Sequence, residues 1–122
     1  MNHKQTFGRL GEQRATDYLL ECGWQILERN WRCKEGEADI IAIDPDAQAL
    51  VVVEVKTRAG LGFGSPLETI TYAKARRLRQ LAGIYARQSQ LGLPRLRVDA
   101  IGILWPRNGG SELVHARGIE ER

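Results

Sequence analysis

At 122 residues, 43% apolar and 27% charged, the chain has the size and composition of a single domain, 1–122, that builds its core without disulfide or metal staples. Its longest apolar run, Ala49 to Val53, is far too short to cross a bilayer, and the polar opening Met1 to Gln5 is no secretory leader, so a cytoplasmic protein with no membrane partner is expected. Net charge is only +3, yet Thr69 to Val98 holds seven basic residues and no acidic one, leaving −4 on the remainder.

Fourteen of the eighteen basic residues are arginine, whose planar fork matches phosphate oxygens. A polyanionic partner or a solvated basic helix face would each account for the asymmetry. Cys22 and Cys33 form no Cys-x-x-Cys pair and read as reduced, buried thiols.

In chain order, Leu10, Ala15, Tyr18, Leu19 and Cys22 recur at helical spacing from Thr6 or Phe7 onward, and Gly23 stands where a C-terminal cap belongs. Trp24 to Arg32 alternates in part and predicts a strand. Lys34 to Glu37 predicts a turn, and Ala38 to Ile43 a second strand closed by Asp44-Pro45-Asp46. Leu50 to Thr57 is the most β-prone stretch, apolar on both faces and so expected to be covered on both. Gly60, Gly62 and Gly64 then predict a flexible loop. Ala75, Leu78, Leu81, Ala82 and Tyr85 mark the inward stripe of a helix from about Thr71 to Gln88, with Arg76, Arg79 and Arg87 pointing away. Leu96 to Trp105 and Glu112 to Ile119 complete the series as fourth and fifth strands. The order αβββαββ, with no internal repeat or linker, predicts an α/β layered fold.

The chemistry sits on the second hairpin. A turn within Asp44 to Ala49 pairs residues whose numbers sum to about 93, so Asp39 faces Glu54. Alternation then puts Glu37, Asp39, Ile41 and Ile43 on one face, matched by Leu50, Val52, Glu54 and Lys56. Like charges facing each other across adjacent strands destabilise unless a cation offsets them. Lys56, on the same face, could supply an internal ion pair; a divalent ion is the other solution. Two carboxylates suit Mg²⁺ or Mn²⁺, which keeps several waters and binds substrate phosphate. A nearby ammonium could orient the attacking water or stabilise the charged transition state.

These residues resemble the YraN-like family of the PD-(D/E)xK nuclease superfamily, similar in plan to archaeal Holliday-junction resolvases. The match runs through Gly8-x-x-Gly11-Glu12-x-x-Ala15, Gly36-Glu37-Ala38-Asp39-Ile40-Ile41 and Val53-Glu54-Val55-Lys56-Thr57-Arg58. Gly64-x-Pro66-x-Glu68, Lys74 with Arg77-Leu78, and Arg97-Val98-Asp99 extend it over nearly the whole chain. Ala38 replaces the superfamily's proline before Asp39. The resemblance implies a restriction-endonuclease-like αβββαβ core, a central mixed sheet flanked by helices. It also implies a metal site of Asp39, Glu54 and the Val55 carbonyl, with Lys56 as the catalytic residue beside it and Glu12 contributing from the first helix.

Lys74, four residues before Leu78, falls beside the inward stripe, where it would either reach the active face or snorkel. Asp99, amid apolar neighbours, calls for an internal basic partner. His3 and His115 lack metal-ligand neighbours and read as surface or packed residues. Trp24, Trp31 and Trp105, at strand positions, read as core packing. The glycines form neither a dinucleotide fingerprint nor a phosphate loop, and no serine has a nucleophile-elbow context.

The sequence therefore predicts a metal-dependent endonuclease acting on nucleic-acid phosphodiesters, DNA before RNA, directed by the shape of a junction or branch. Arg58, Lys74, Arg76, Arg77, Arg79 and Arg87 are the candidate backbone contacts. Cutting both strands would call for a homodimer. The rival is a catalytically silent nucleic-acid-binding or protein-docking module that keeps the fold.

Overall fold

The first helix and the sheet are joined in a computed structural model that describes residues 3–60, 65–106 and 108–121, the side chains of 3–5 excepted. Gly62 and Gly64 of the expected loop, and the His3 side chain, lie outside the described residues. In chain order come α1 (His3–Glu21), β1 (Gln25–Cys33), β2 (Gly36–Asp44), β3 (Ala49–Arg58), a 3₁₀ turn (Pro66–Thr69), α2 (Tyr72–Ser89), β4 (Arg95–Leu104), β5 (Glu112–Ala116) and a second 3₁₀ turn (Ile119–Glu121).

Local chemistry sets these boundaries. Gly23, at φ 86°, takes the left-handed conformation after α1, and Trp24 N–H returns to the Leu19 carbonyl at 3.0 Å. The β2–β3 hairpin tip is an Asx turn in which Asp44 Oδ1 accepts from Asp46 N–H at 3.1 Å. Thr71 caps α2 by accepting from Lys74 N–H at 3.1 Å, and Gln90 closes it in the left-handed region. β5 stops at Ala116, earlier than the expected Ile119, because Gly118 turns at φ 64° and donates its N–H to Asp99 Oδ1 at 3.1 Å. Ile119 is thereby folded back into the core.

The five strands run in spatial order β1-β2-β3-β4-β5, every neighbour antiparallel except the parallel β3–β4 pair bridged by α2. This is a mixed five-stranded sheet with two helices, an α/β fold consistent with a restriction-endonuclease-like core. One face, with Ile41, Leu50, Val52 and Val98, packs on Ala75, Leu78, Leu81 and Ala82 of α2. The other, with Ile40, Val51, Val53 and Ile101, packs on Ala15 and Leu19 of α1. β3 is thus covered on both faces, as its unbroken apolar run requires.

The stripe of α1 differs from expectation. Leu10 is 50% exposed and Cys22 is exposed, while Cys33 is half-buried; both thiols are free. The inward line is Gly11, Ala15 and Leu19, at i, i+4 and i+8. A glycine in that line lets α1 sit directly on β3.

Asp99 has the basic partner its burial demands. Arg97 reaches it through Nε at 2.8 Å and Asp44 through Nη2 at 2.8 Å, while His115 Nε2 lies 2.8 Å from Asp99 and Tyr18 Oη 2.9 Å from His115 Nδ1. Trp24 lies beneath the Arg97 guanidinium at 5.6 Å. His115 is therefore a packed residue. Arg97, counted above in the basic segment, is spent inside the fold.

Candidate active site

The β2–β3 ladder follows the expected register, Asp44↔Ala49 through Ile40↔Val53, and ends there. Beyond it β2 stays with β1, through Cys33↔Gly36, while β3 stays with β4, through Arg58↔Leu104. Asp39 and Glu54 are the next residues on either side, at the point of a fork. The parting leaves Val55 N–H without a strand partner on β2, and Asp39 Oδ2 takes it at 2.8 Å.

Strict alternation fails at this point. Ala38 and its partner Trp31 pack towards α2, whereas Ile40 packs towards α1 and its partner Arg29 bonds Gln13 of α1 at 3.0 Å. The β1–β2 ribbon changes face at Asn30 and Asp39, Asn30 standing at φ 53°, a left-handed value that asparagine tolerates. Glu37 consequently does not share the site; it is exposed and pairs with Arg32 at 3.0 Å.

Glu54 is 5% exposed and has two ammonium neighbours, Lys56 Nζ at 3.8 Å and Lys74 Nζ at 3.5 Å. Lys74 thus reaches across from α2. Among the described residues Asp39 has no such neighbour: burial first, then the Glu54 charge, push its carboxyl up to about 8. Glu12 is raised as well, chiefly by burial, with Glu54 adding to it and Arg29 opposing. Its buried Oε1 has no hydrogen-bond partner among the described residues. The site therefore holds more carboxylate than its lysines neutralise.

Asp39, Val55, Lys56 and Arg58 line a cleft of about 310 Å³ together with Glu12, Thr57, Phe7 and Gly8. Among the described residues no three His, Cys, Asp or Glu side chains cluster as a ready-made metal cage. Asp39 and Glu12 line the cleft and Glu54 stands beside Asp39, and carboxylate oxygens of this kind suit a hard ion that keeps its waters. Of the candidate backbone contacts, Arg58 lines the cleft, Lys74 pairs with Glu54 from α2, and Arg76, Arg77, Arg79 and Arg87 are exposed along α2. Phe7, Gly8 and Thr57 were not anticipated as lining residues, since nothing in their spacing shows which strand α1 touches.

Gly11 holds α1 in place. A Cβ there would collide with the Thr57 side chain, its Oγ1 nearest. Gly11→Ala should lower stability by about 1–3 kcal/mol through overpacking, against the roughly 1 kcal/mol that alanine contributes to helix propensity. It should also displace Glu12. Thr57→Ala in the same chain should recover part of the loss, which thermal melting of the single and double variants would show.

Among the described residues no helix is long and apolar enough to cross a membrane. Residues 11–103 match the uncharacterised protein family UPF0102. The chain is 49% identical over 109 residues to the UPF0102 protein of Clavibacter michiganensis, covering 89% of this chain and 91% of that one. It is 44% identical to that of an Arthrobacter species, covering 98% and 99%, and 45% identical to that of Mycobacterium tuberculosis, covering 92% and 90%. With two-thirds or more of each chain aligned and the family profile spanning the fork, both lysines and α2, the chain belongs to the UPF0102 family.

Proposed function

We propose that the protein is a metal-dependent endonuclease of the PD-(D/E)xK kind that hydrolyses phosphodiester bonds in structured DNA, junctions and branches included. The observation that carries this reading is the fork, where Asp39 and Glu54 meet with Val55 between them and Lys56 3.8 Å from Glu54. The unpartnered Glu12 Oε1 and the elevated Asp39 carboxyl fit a site that a cation would complete. Asp39, Glu54 and the Val55 carbonyl would hold Mg²⁺ or Mn²⁺, which when bound polarises a phosphoryl oxygen and lowers the pKa of a coordinated water. Lys56 would set an ammonium beside the phosphoryl oxygens, which carry the negative charge of the transition state. Hydrolysis forms one P–O bond from water and breaks the bond to the leaving oxygen; Glu12, its carboxyl raised, would carry a proton between them. A cytoplasmic location agrees with two free thiols. A homodimer would cut both strands.

Calorimetric titration of the purified protein with Mg²⁺ and Mn²⁺ tests the metal site: wild type binds at millimolar metal, and Asp39→Asn binds more weakly. The same variant reports on the energetics. Because Asp39 is raised from 3.8 to about 8, the metal-free fold loses stability as pH rises through that window. Metal-free Asp39→Asn should melt a few degrees higher than wild type, by an amount that grows from about pH 4 to pH 8. Metal at tenfold excess over its dissociation constant should restore about 1.4 kcal/mol to wild type and little to the variant.

The exposed arginines of α2 supply a further expectation. Each phosphate neutralised releases roughly 0.9 counterion from duplex DNA, so removing Arg76, Arg79 and Arg87 together should flatten the salt dependence of binding by up to about three such steps. Unchanged affinity and slope would make this a solvated face. The Glu54 contacts to Lys56 and Lys74 favour a second reading, a silent nucleic-acid-binding module in which these charges serve structure.

A further inference from the structure

The α1 side of the cleft carries an aromatic ring. Phe7 lines it, belongs to neither core cluster and is held by Trp105, ring centroids 6.4 Å apart at 48°. Trp105 is itself fastened to the end of β3, its N–H donated to the Arg58 carbonyl at 2.7 Å. The start of α1, the end of β3 and the residue after β4 therefore bring a half-buried aromatic pair and the Arg58 guanidinium to the cleft that Asp39 and Lys56 also line. Gly8 completes the wall: a Cβ at this position would meet nothing within 4 Å, so the helix backbone itself borders open space. At about 310 Å³ the cleft lies at the small end of ligand sites and has room for one base, not for a duplex.

We infer that this wall is a stacking subsite for a single unpaired nucleobase, so that the protein selects nucleic acid in which a nucleotide is free of its partner next to the phosphate held at Asp39 and Lys56. The inference rests on the nucleic-acid reading above and names its substrate class. Stacking on an aromatic face is tolerant of base identity, and Arg58 beside it suits the backbone phosphate. An unpaired base reaches Phe7 without the penalty of breaking a pair, which is where the selection arises.

The test uses two oligonucleotide probes carrying 2-aminopurine, one with it in a single-stranded overhang beside a duplex and one with it paired within a full duplex. Both are followed in chelator, where nothing is cut, by anisotropy for binding and by 2-aminopurine emission for stacking. Emission should fall on binding the overhang probe and stay constant with the paired probe. Phe7→Leu keeps an apolar side chain but removes the ring face, and should abolish the fall in emission. Gly8→Leu fills the open side without disturbing a packed neighbour, and should weaken overhang binding at least about fivefold relative to duplex. Binding with unchanged emission, or variants that quench as wild type does, would overturn the subsite and leave the nucleic-acid reading standing. No change in anisotropy with either probe would overturn both.

Discussion

Replacing Arg97 by methionine is expected to destabilise the fold by about 3–5 kcal/mol, the usual consequence of stripping one partner from a buried ionic network. Methionine nearly matches the length of the arginine stem, so the loss would report charge and hydrogen bonds rather than a cavity. Asp99 is fully buried and Asp44 is 5% exposed, and both would lose the guanidinium that bonds them at 2.8 Å. Burial alone would raise the Asp99 carboxyl; hydrogen bonds from His115, Arg97 and Gly118 outweigh it and hold the group below its ordinary 3.8. A carboxyl depressed in the folded state contributes stability above its unfolded value and loses it as pH falls through the folded one. The deficit of Arg97→Met should therefore be full at neutral pH and shrink once the solution is more acidic than about 3.8. Denaturant midpoints at both pH values measure this. A loss under about 1 kcal/mol at neutral pH would mean that water enters the network and screens it.

Lys56→Ala should leave DNA binding nearly intact while lowering the cleavage rate about 10²–10³-fold, the range for removing one group that stabilises transition-state charge. Under the proposed function binding should persist, because the exposed arginines of α2 are untouched. Lys74→Ala should have a smaller effect on rate, since Lys74 arrives from α2 and contacts Glu54 rather than extending β3 into the cleft. Single-turnover rates, measured with affinity determined separately, distinguish loss of chemistry from loss of binding. Equal losses in affinity and rate for Lys56→Ala would make it a phosphate anchor.

The hairpin register was legible from the sequence because a turn confined to Asp44–Ala49 leaves one antiparallel pairing that buries both apolar faces, and the observed Ile40↔Val53 pair has the expected sum. Lys74 was legible from its place beside the stripe of Leu78 and Ala82 on the helical wheel. The face assigned to Glu37 was not, because it assumes unbroken alternation and the ribbon turns over at Asn30, whose left-handed backbone leaves no hydrophobic signature. The same blindness explains α1. Gly11 contributes nothing to an apolar count, so Leu10 and Cys22 stood in for the inward line that Gly11, Ala15 and Leu19 form. Arg97 shows a different limit: a buried arginine and a solvated one look alike until Asp44, fifty-three positions away, is brought against it.

The most direct measurement is cleavage of supercoiled and branched DNA by the purified protein in Mg²⁺ or Mn²⁺, with chelator and Lys56→Ala run in parallel. The fork at Asp39 and Glu54 predicts metal-dependent nicking by wild type that chelator abolishes and Lys56→Ala loses while still binding the same DNA. Binding without metal-dependent cleavage on any of these substrates, or cleavage that Lys56→Ala retains in full, would contradict it and leave the silent binding module as the account of the fold.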